Sequence, residues 1–198
     1  MGNSALPPHL PRGRELAKTL TGVRGLDEIT RGGLPKGRPT LICGGAGSGK
    51  TLLALTFLVN GAMLYDEPGV LMTFEENADE MASDVASLGF DLPALIAAQK
   101  LAVDYVRVER SEIEETGEYD LEGLFVRLDY AIRSVGAKRV VLDTIESLFA
   151  DLKNNATLRS ELRRLFRWLK DRGVTVVITG ERGEGLTRQG LEEYVSDA

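Results

Sequence analysis

Residues 40–51 read TLICGGAGSGKT, an apolar run that stops at a cluster of glycines and resumes as LLALTFLV. The first run, Thr40 to Cys43, predicts a short buried strand, the resumed run predicts a helix, and the glycines between them make a tight connection. Gly44, Gly49, Lys50 and Thr51 fit the pattern G-x-x-x-x-G-K-[ST] in the strand-loop-helix context that gives it meaning. The chemistry of a phosphate site needs these residue types. Glycines at positions 44, 45, 47 and 49 permit positive φ, so that successive N–H groups can turn inward around a phosphate. Lys50 can reach the β and γ oxygens, Thr51 can ligate Mg²⁺, and the helix N-terminus adds its dipole. The bland alternative, a glycine turn with an incidental lysine, has no use for the flanking strand and helix.

Working outward, four further β-rich runs appear at Val70 to Phe74, Leu101 to Val108, Arg139 to Asp143 and Val174 to Thr179. Each is short and apolar enough to be buried on both faces, as strands of a parallel sheet are. Between them, Leu121, Leu124, Phe125, Leu128, Ala131, Ile132 and Val135 fall at helical steps, as do Leu158, Leu162, Leu165, Phe166 and Leu169. Asn154 or Asn155 is the expected cap of the second helix and Gly173 its stop. The expected architecture is α/β, a mainly parallel sheet flanked by helices on both faces, with ligands at the strands' carboxyl ends. The segment TGVRGLDEITRGGLPKGRP reads as a glycine-dense, turn-like approach to the first strand.

The chain of 198 residues, 43% hydrophobic and 27% charged, suits one domain with a real core. Pro7, Pro8 and Pro11 predict a flexible arm over residues 1–14, leaving 15–198 as the domain. The net charge of -6 argues against nucleic acid and anionic membrane as general partners. Cys43 is the one cysteine and His9 the one histidine, so neither an internal disulfide nor a histidine-based triad or zinc site has candidates. With no signal or membrane-length apolar segment, the expectation is a reduced, cytoplasmic setting.

Two further acidic elements accompany the glycine loop. Asp143 ends the run KRVVLD, where a buried carboxylate calls for a cation such as Mg²⁺; its alternative is to cap the turn that follows. Glu75 and Glu76 end GVLMTFEE, where one of them can polarise a water in line with a γ-phosphate. Strand alternation lets only one reach directly, and Glu75 is favoured with Glu76 in support. The alternative is that both simply complement the dipole of the next helix.

The runs quoted so far, with TFEENADE, ERSEIEETGEYDLEGL, VVITGERG and EEYVSDA, closely resemble the KaiC family, specifically its first domain, CI. The resemblance covers nearly the whole chain past the proline arm. It implies a RecA-like P-loop NTPase fold, ATP and Mg²⁺ as cofactors, and a hexameric ring with nucleotide between subunits. It further implies slow ATP hydrolysis that controls binding of a KaiB-like partner. On this resemblance Gly44, Gly45, Ala46, Gly47, Ser48, Gly49, Lys50, Thr51, Leu52 and Ser87 hold nucleotide, Thr51 and Asp143 hold the metal, and Lys50, Glu75 and Glu76 are catalytic. Ser111 to Glu118 matches the loop region that receives KaiB; a solvated acidic loop is the alternative there.

The family's CI domain continues past EEYVSDA into a basic segment that reaches a neighbour's γ-phosphate, so the resemblance implies a domain truncated at its C-terminal end. Serine/threonine autokinase chemistry belongs to the family's second domain, CII, which the match does not include. Two other readings stay open. One is a RadA/RecA-like DNA-dependent ATPase, which shares the fold and the opening TG, GLDE and GGL; the other is an assembly module in which ATP is bound without turnover. The stripe Arg159, Arg163, Arg164, Arg167 and Lys170 reads as a solvated or subunit-facing surface, and Trp168 and Cys43 as packing residues.

Overall fold

The computed structural model describes residues 16–106, 121–148 and 155–182. The arm over residues 1–14, the loop from Ser111 to Glu118 and the run EEYVSDA lie outside these. The described chain opens with an antiparallel ladder of β1 (Lys18–Thr19) and β2 (Leu34–Pro35) around a one-turn helix, α1 (Leu26–Ile29). The glycine-dense approach is therefore more than a turn. Asp27 organises it, accepting the N–H groups of Thr21 and Gly22 at 2.8 and 2.9 Å and the Thr21 hydroxyl at 2.7 Å. Gly33, at φ 100°, passes so close to β1 that a Cβ would stand 2.0 Å from the Thr19 carbonyl oxygen.

Next come β3 (Pro39–Gly44), α2 (Lys50–Leu64), β4 (Gly69–Thr73), α3 (Ala78–Ala86), α4 (Leu92–Ala97) and β5 (Leu101–Tyr105). They are followed by α5 (Glu122–Val135), β6 (Arg139–Asp143), the short α6 (Ile145–Leu148), α7 (Asn155–Asp171) and β7 (Thr175–Glu181). The five later strands form one parallel sheet in the order β3-β7-β6-β4-β5. All five are the strands expected from the apolar runs: β6 has the expected bounds, and the ends of the others differ by at most three residues. Helix α7 begins at Asn155, so its cap position, residue 154, falls outside the described residues; Gly173 follows it at φ 67°. Gly136 ends α5 in the same left-handed conformation, φ 64°.

Alternation along the strands divides the interior in two. Val70, Met72, Val140, Leu142, Val176 and Ile178 face α5, α6 and α7. Leu71, Val141 and Val177 face α2, α3 and α4. The counted helical stripes do the packing: Leu124, Phe125, Leu128, Ala131 and Ile132 of α5 and Leu162, Leu165, Phe166 and Leu169 of α7 are all buried. Each of the leucine, isoleucine and phenylalanine side chains among them stabilises the fold by about 1.5–3 kcal/mol. Trp168 stacks on Phe125 at 5.3 Å, which bears out its reading as a packing residue. With both faces covered, the sheet leaves its carboxyl edge as the place for chemistry. No described helix is long and apolar enough to cross a membrane.

Arg139 is the largest fully buried side chain among the described residues and ties the opening ladder to this framework. Its guanidinium donates to the carbonyls of Phe57 at 2.8 Å and Leu20 at 2.9 Å, pairs with Glu67 at 2.6 Å, and lies over the rings of Phe57 and Tyr65. All three guanidinium nitrogens thus find acceptors, which is what makes a buried guanidinium tolerable.

Candidate functional site

At the carboxyl end of β3 the chain turns through Gly45 to Gly49 and enters α2 at Lys50. Gly47 and Gly49 adopt φ 70° and 86°, the left-handed region that opens the loop and presents the first N–H groups of α2 outward. Gly44 and Gly45 are not in that region. At Gly44 the reason is crowding instead: a Cβ would stand 2.3 Å from the Ser48 hydroxyl oxygen and 3.1 Å from Ser48 Cβ. The expectation of positive φ at all four glycines is corrected accordingly. Lys50 folds back over the loop and donates to the Gly45 carbonyl at 2.9 Å.

Asp143 comes to the loop because β6 lies inside the sheet, its register pairing Thr73 with Asp143. The Thr51 hydroxyl donates to its carboxylate at 3.0 Å, and the Thr179 hydroxyl of β7 donates from the other side. Asp143 is 5% exposed. Burial pushes its carboxyl up from the ordinary range, the Thr179 and Thr51 hydrogen bonds pull it down, and the Glu75 charge pushes it up again. Among the described residues no group of three or more His, Cys, Asp or Glu is arranged to hold a metal by itself. A hydroxyl and a single carboxylate side by side suit Mg²⁺, which takes few protein ligands and completes its shell with phosphate oxygens and water.

Glu75 and Glu76 follow β4 in a bend, ahead of α3. The cap of α3 is Asn77, which accepts from the N–H groups of Asp79 and Glu80, while Glu80 reaches back to the Asn77 N–H. This is a complete capping box. Neither Glu75 nor Glu76 is used in it. Glu75 accepts from the Ser147 hydroxyl at 2.5 Å. Glu76 lines a cleft of about 320 Å³ whose walls are the loop residues Gly47 to Leu52 and one side of α3. Burial raises the Glu76 carboxyl above its ordinary range, and the charges of Asp84, Asp143, Glu75 and Glu80 add to the rise.

Met81, Val85 and Leu88 give the cleft an apolar wall opposite the loop, and Lys50 is the one cation among its described lining. Ser87 caps the C-terminus of α3 between two of these residues but is itself exposed and does not line the cleft. The basic stripe on α7 is partly engaged: Arg164 pairs with Glu122 and Glu161 and lies over Phe125.

Three residues at this end of the sheet escaped sequence reasoning. Thr179 was legible in principle, as a hydroxyl in an apolar strand at the level of Asp143. Ser147 and Glu146 gave no signal, because DTIESLF reads as an ordinary helix start. Burial pushes the Glu146 carboxyl up to about 7.

A glycine loop, a helix N-terminus, and a threonine bonded to a strand-end aspartate therefore meet at one cleft. The family description "ATPase: KaiC" matches residues 19–198. The chain belongs to the KaiC ATPase family. The parallel sheet of five described strands with helices on both faces is the RecA-like fold expected of a KaiC domain. The chain is 64% identical over 183 residues to the "Circadian clock protein KaiC2" of Synechocystis sp. (strain ATCC 27184 / PCC 6803 / Kazusa), covering 92% of this chain and 32% of that protein. It is 41% identical over 187 residues to the "Circadian clock oscillator protein KaiC" of Parathermosynechococcus lividus, covering 93% and 35%. With the protein of that name from Synechococcus elongatus (strain ATCC 33912 / PCC 7942 / FACHB-805) it shares 41% over 185 residues, covering 92% and 36%. The chain thus spans about a third of the length of the curated relatives it matches.

Proposed function

We propose that this KaiC domain binds Mg-ATP at the cleft and hydrolyses it slowly, and that the bound nucleotide lies between subunits of a ring and governs docking of a KaiB-like clock partner. The observation that carries the binding reading is the Thr51–Asp143 hydrogen bond beside the glycine loop. It brings a metal-ligating hydroxyl and a carboxylate together where loop N–H groups and Lys50 would hold the β and γ phosphates.

Gly44 to Leu52 form the cradle, and Met81, Val85 and Leu88 border the space for the nucleoside, with Ser87 outside the cleft as the subunit stands. Thr51 and Asp143 would hold Mg²⁺, which supplies charge neutralisation at the phosphates. Glu75 and Glu76 share the task of orienting water: a carboxyl raised by burial is a stronger base, and Glu76 is the member that lines the cleft, while Glu75 is held by Ser147. With Lys50 alone against the acids Glu76 and Asp84 along the lining, a neighbouring subunit is the source we propose for a further cation. The segment Ser111 to Glu118 is the proposed partner surface.

The deciding test is phosphate release measured beside nucleotide binding for Glu75→Gln and Glu76→Gln, with assembly followed by light scattering. The carboxylate that aims the water loses roughly 10²-fold or more in turnover at unchanged nucleotide affinity. If both variants release phosphate at the wild-type rate, hydrolysis by this pair is wrong.

A further inference from the structure

Glu146 sits on α6, three residues beyond Asp143, and its two carboxyl oxygens have different fates. Oε1 accepts the N–H of Glu181, the last residue of β7, at 2.8 Å. Glu181 is paired in register with Gly44, and the next N–H, that of Arg182, donates to the Gly44 carbonyl at 3.0 Å. A single carboxyl group therefore fastens α6 to the strand end that flanks the first glycine of the phosphate loop. Oε2 is buried and has no hydrogen-bond partner, alone in this among the described side chains.

A buried carboxylate oxygen without a donor is costly, and the simplest donor is a proton on the group itself. The charged groups that act on Glu146 come from two elements: Lys50 at the start of α2 favours the anion, and the Glu181 carboxylate at the end of β7 opposes it. Asp143 and Glu75 add negative charge at the same end of the sheet. Burial is the largest influence and pushes the group up to about 7, so its proton is poised near neutral pH. Lys50 has another partner, the Gly45 carbonyl. An incoming nucleotide would engage the Lys50 charge and, with the charge of its Mg²⁺ counted, still bring net negative charge of its own, and both effects favour the neutral form of Glu146.

We propose that Glu146 is a proton-linked positioning residue of the phosphate loop: it fastens the end of β7 to α6 and takes a proton from solvent onto Oε2 when an anionic polyphosphate fills the loop. This rests on the nucleotide-binding reading above. The buffer acid loses the proton and Oε2 gains the O–H bond, so binding consumes acid near neutral pH.

The test is calorimetric titration of the full chain with Mg-ADP at pH 7.5 in two buffers of different ionisation enthalpy, for wild type and Glu146→Gln. Protons belonging to the nucleotide cancel in the difference between the two proteins. The expected result is that wild type takes up roughly 0.3–0.7 proton more per bound nucleotide than the glutamine variant. Equal proton counts with intact binding overturn the proposal alone; failure of wild type to bind Mg-ADP overturns the nucleotide reading and this proposal with it. Wild type gives a second reading that needs no variant to fold. Its affinity falls up to roughly tenfold between pH 6 and 9, and an affinity flat across that range overturns the proposal.

Discussion

Glutamine at position 146 keeps an oxygen for the Glu181 N–H and removes the ionisable proton, so it isolates what the buried charge does to stability. The carboxyl is raised from 4.5 to about 7 in the folded protein. Between those values the folded state holds this proton more tightly than the unfolded chain. Wild type therefore loses stability as pH rises through that window, and the loss is complete above it. At about 1.4 kcal/mol per tenfold change in proton affinity the ceiling is about 3 kcal/mol. Because the side chain keeps partial contact with solvent, screening lowers the expectation to about 1–2 kcal/mol. Urea unfolding of both proteins at pH 5 and pH 8 reads it directly. The variant should gain about 1–2 kcal/mol over wild type on going from pH 5 to pH 8. Any fixed cost of burying the amide appears at both pH values and drops out. A stability difference that is the same at the two pH values, or that moves against the variant at pH 8, refutes the reasoning.

Two further substitutions probe the framework of the site. Arg139→Met leaves Glu67 and two carbonyls without their donor and should cost about 3–5 kcal/mol in urea unfolding; a cost under about 1 kcal/mol contradicts the anchoring role given to this side chain. Gly44→Ala places a methyl group against Ser48 and should cost about 1–3 kcal/mol. Most of that cost should vanish when Ser48→Ala is added, and additive costs in the double-mutant cycle would reject crowding as the reason for glycine at this position.

The sheet was legible because parallel strands covered on both faces must be apolar throughout, and the five runs from Thr40 to Thr179 are. The glycine loop was legible because a phosphate-loop pattern specifies residue types at fixed spacing within eight consecutive positions. What stayed hidden depends on contacts distant in sequence. Arg139 meets Glu67 from 72 positions away, and nothing local marks it as a buried cation. Strands β1 and β2 are two residues long each, too short for a period to show. Glu146 has the look of a helix-surface acid, and its hydrogen bond to the end of β7 is made from 35 positions away. Gly44 was read as a matter of backbone freedom, when the constraint is the room that Ser48 leaves. For Glu75 and Glu76 the residue types were evident, but that Asn77 and Glu80 would supply the α3 cap in their place was a matter of where the helix starts.

The central claim is that this cleft holds a magnesium nucleotide through Lys50, Thr51 and Asp143. Equilibrium binding of Mg-ATP to wild type, Lys50→Ala and Thr51→Ala, with and without Mg²⁺, tests it most directly. A charge-assisted contact to phosphate predicts a loss of roughly 10–100-fold for Lys50→Ala, and Thr51→Ala should bind with an affinity that no longer responds to Mg²⁺. Saturable binding with the same affinity and the same magnesium response in all three proteins would contradict the account.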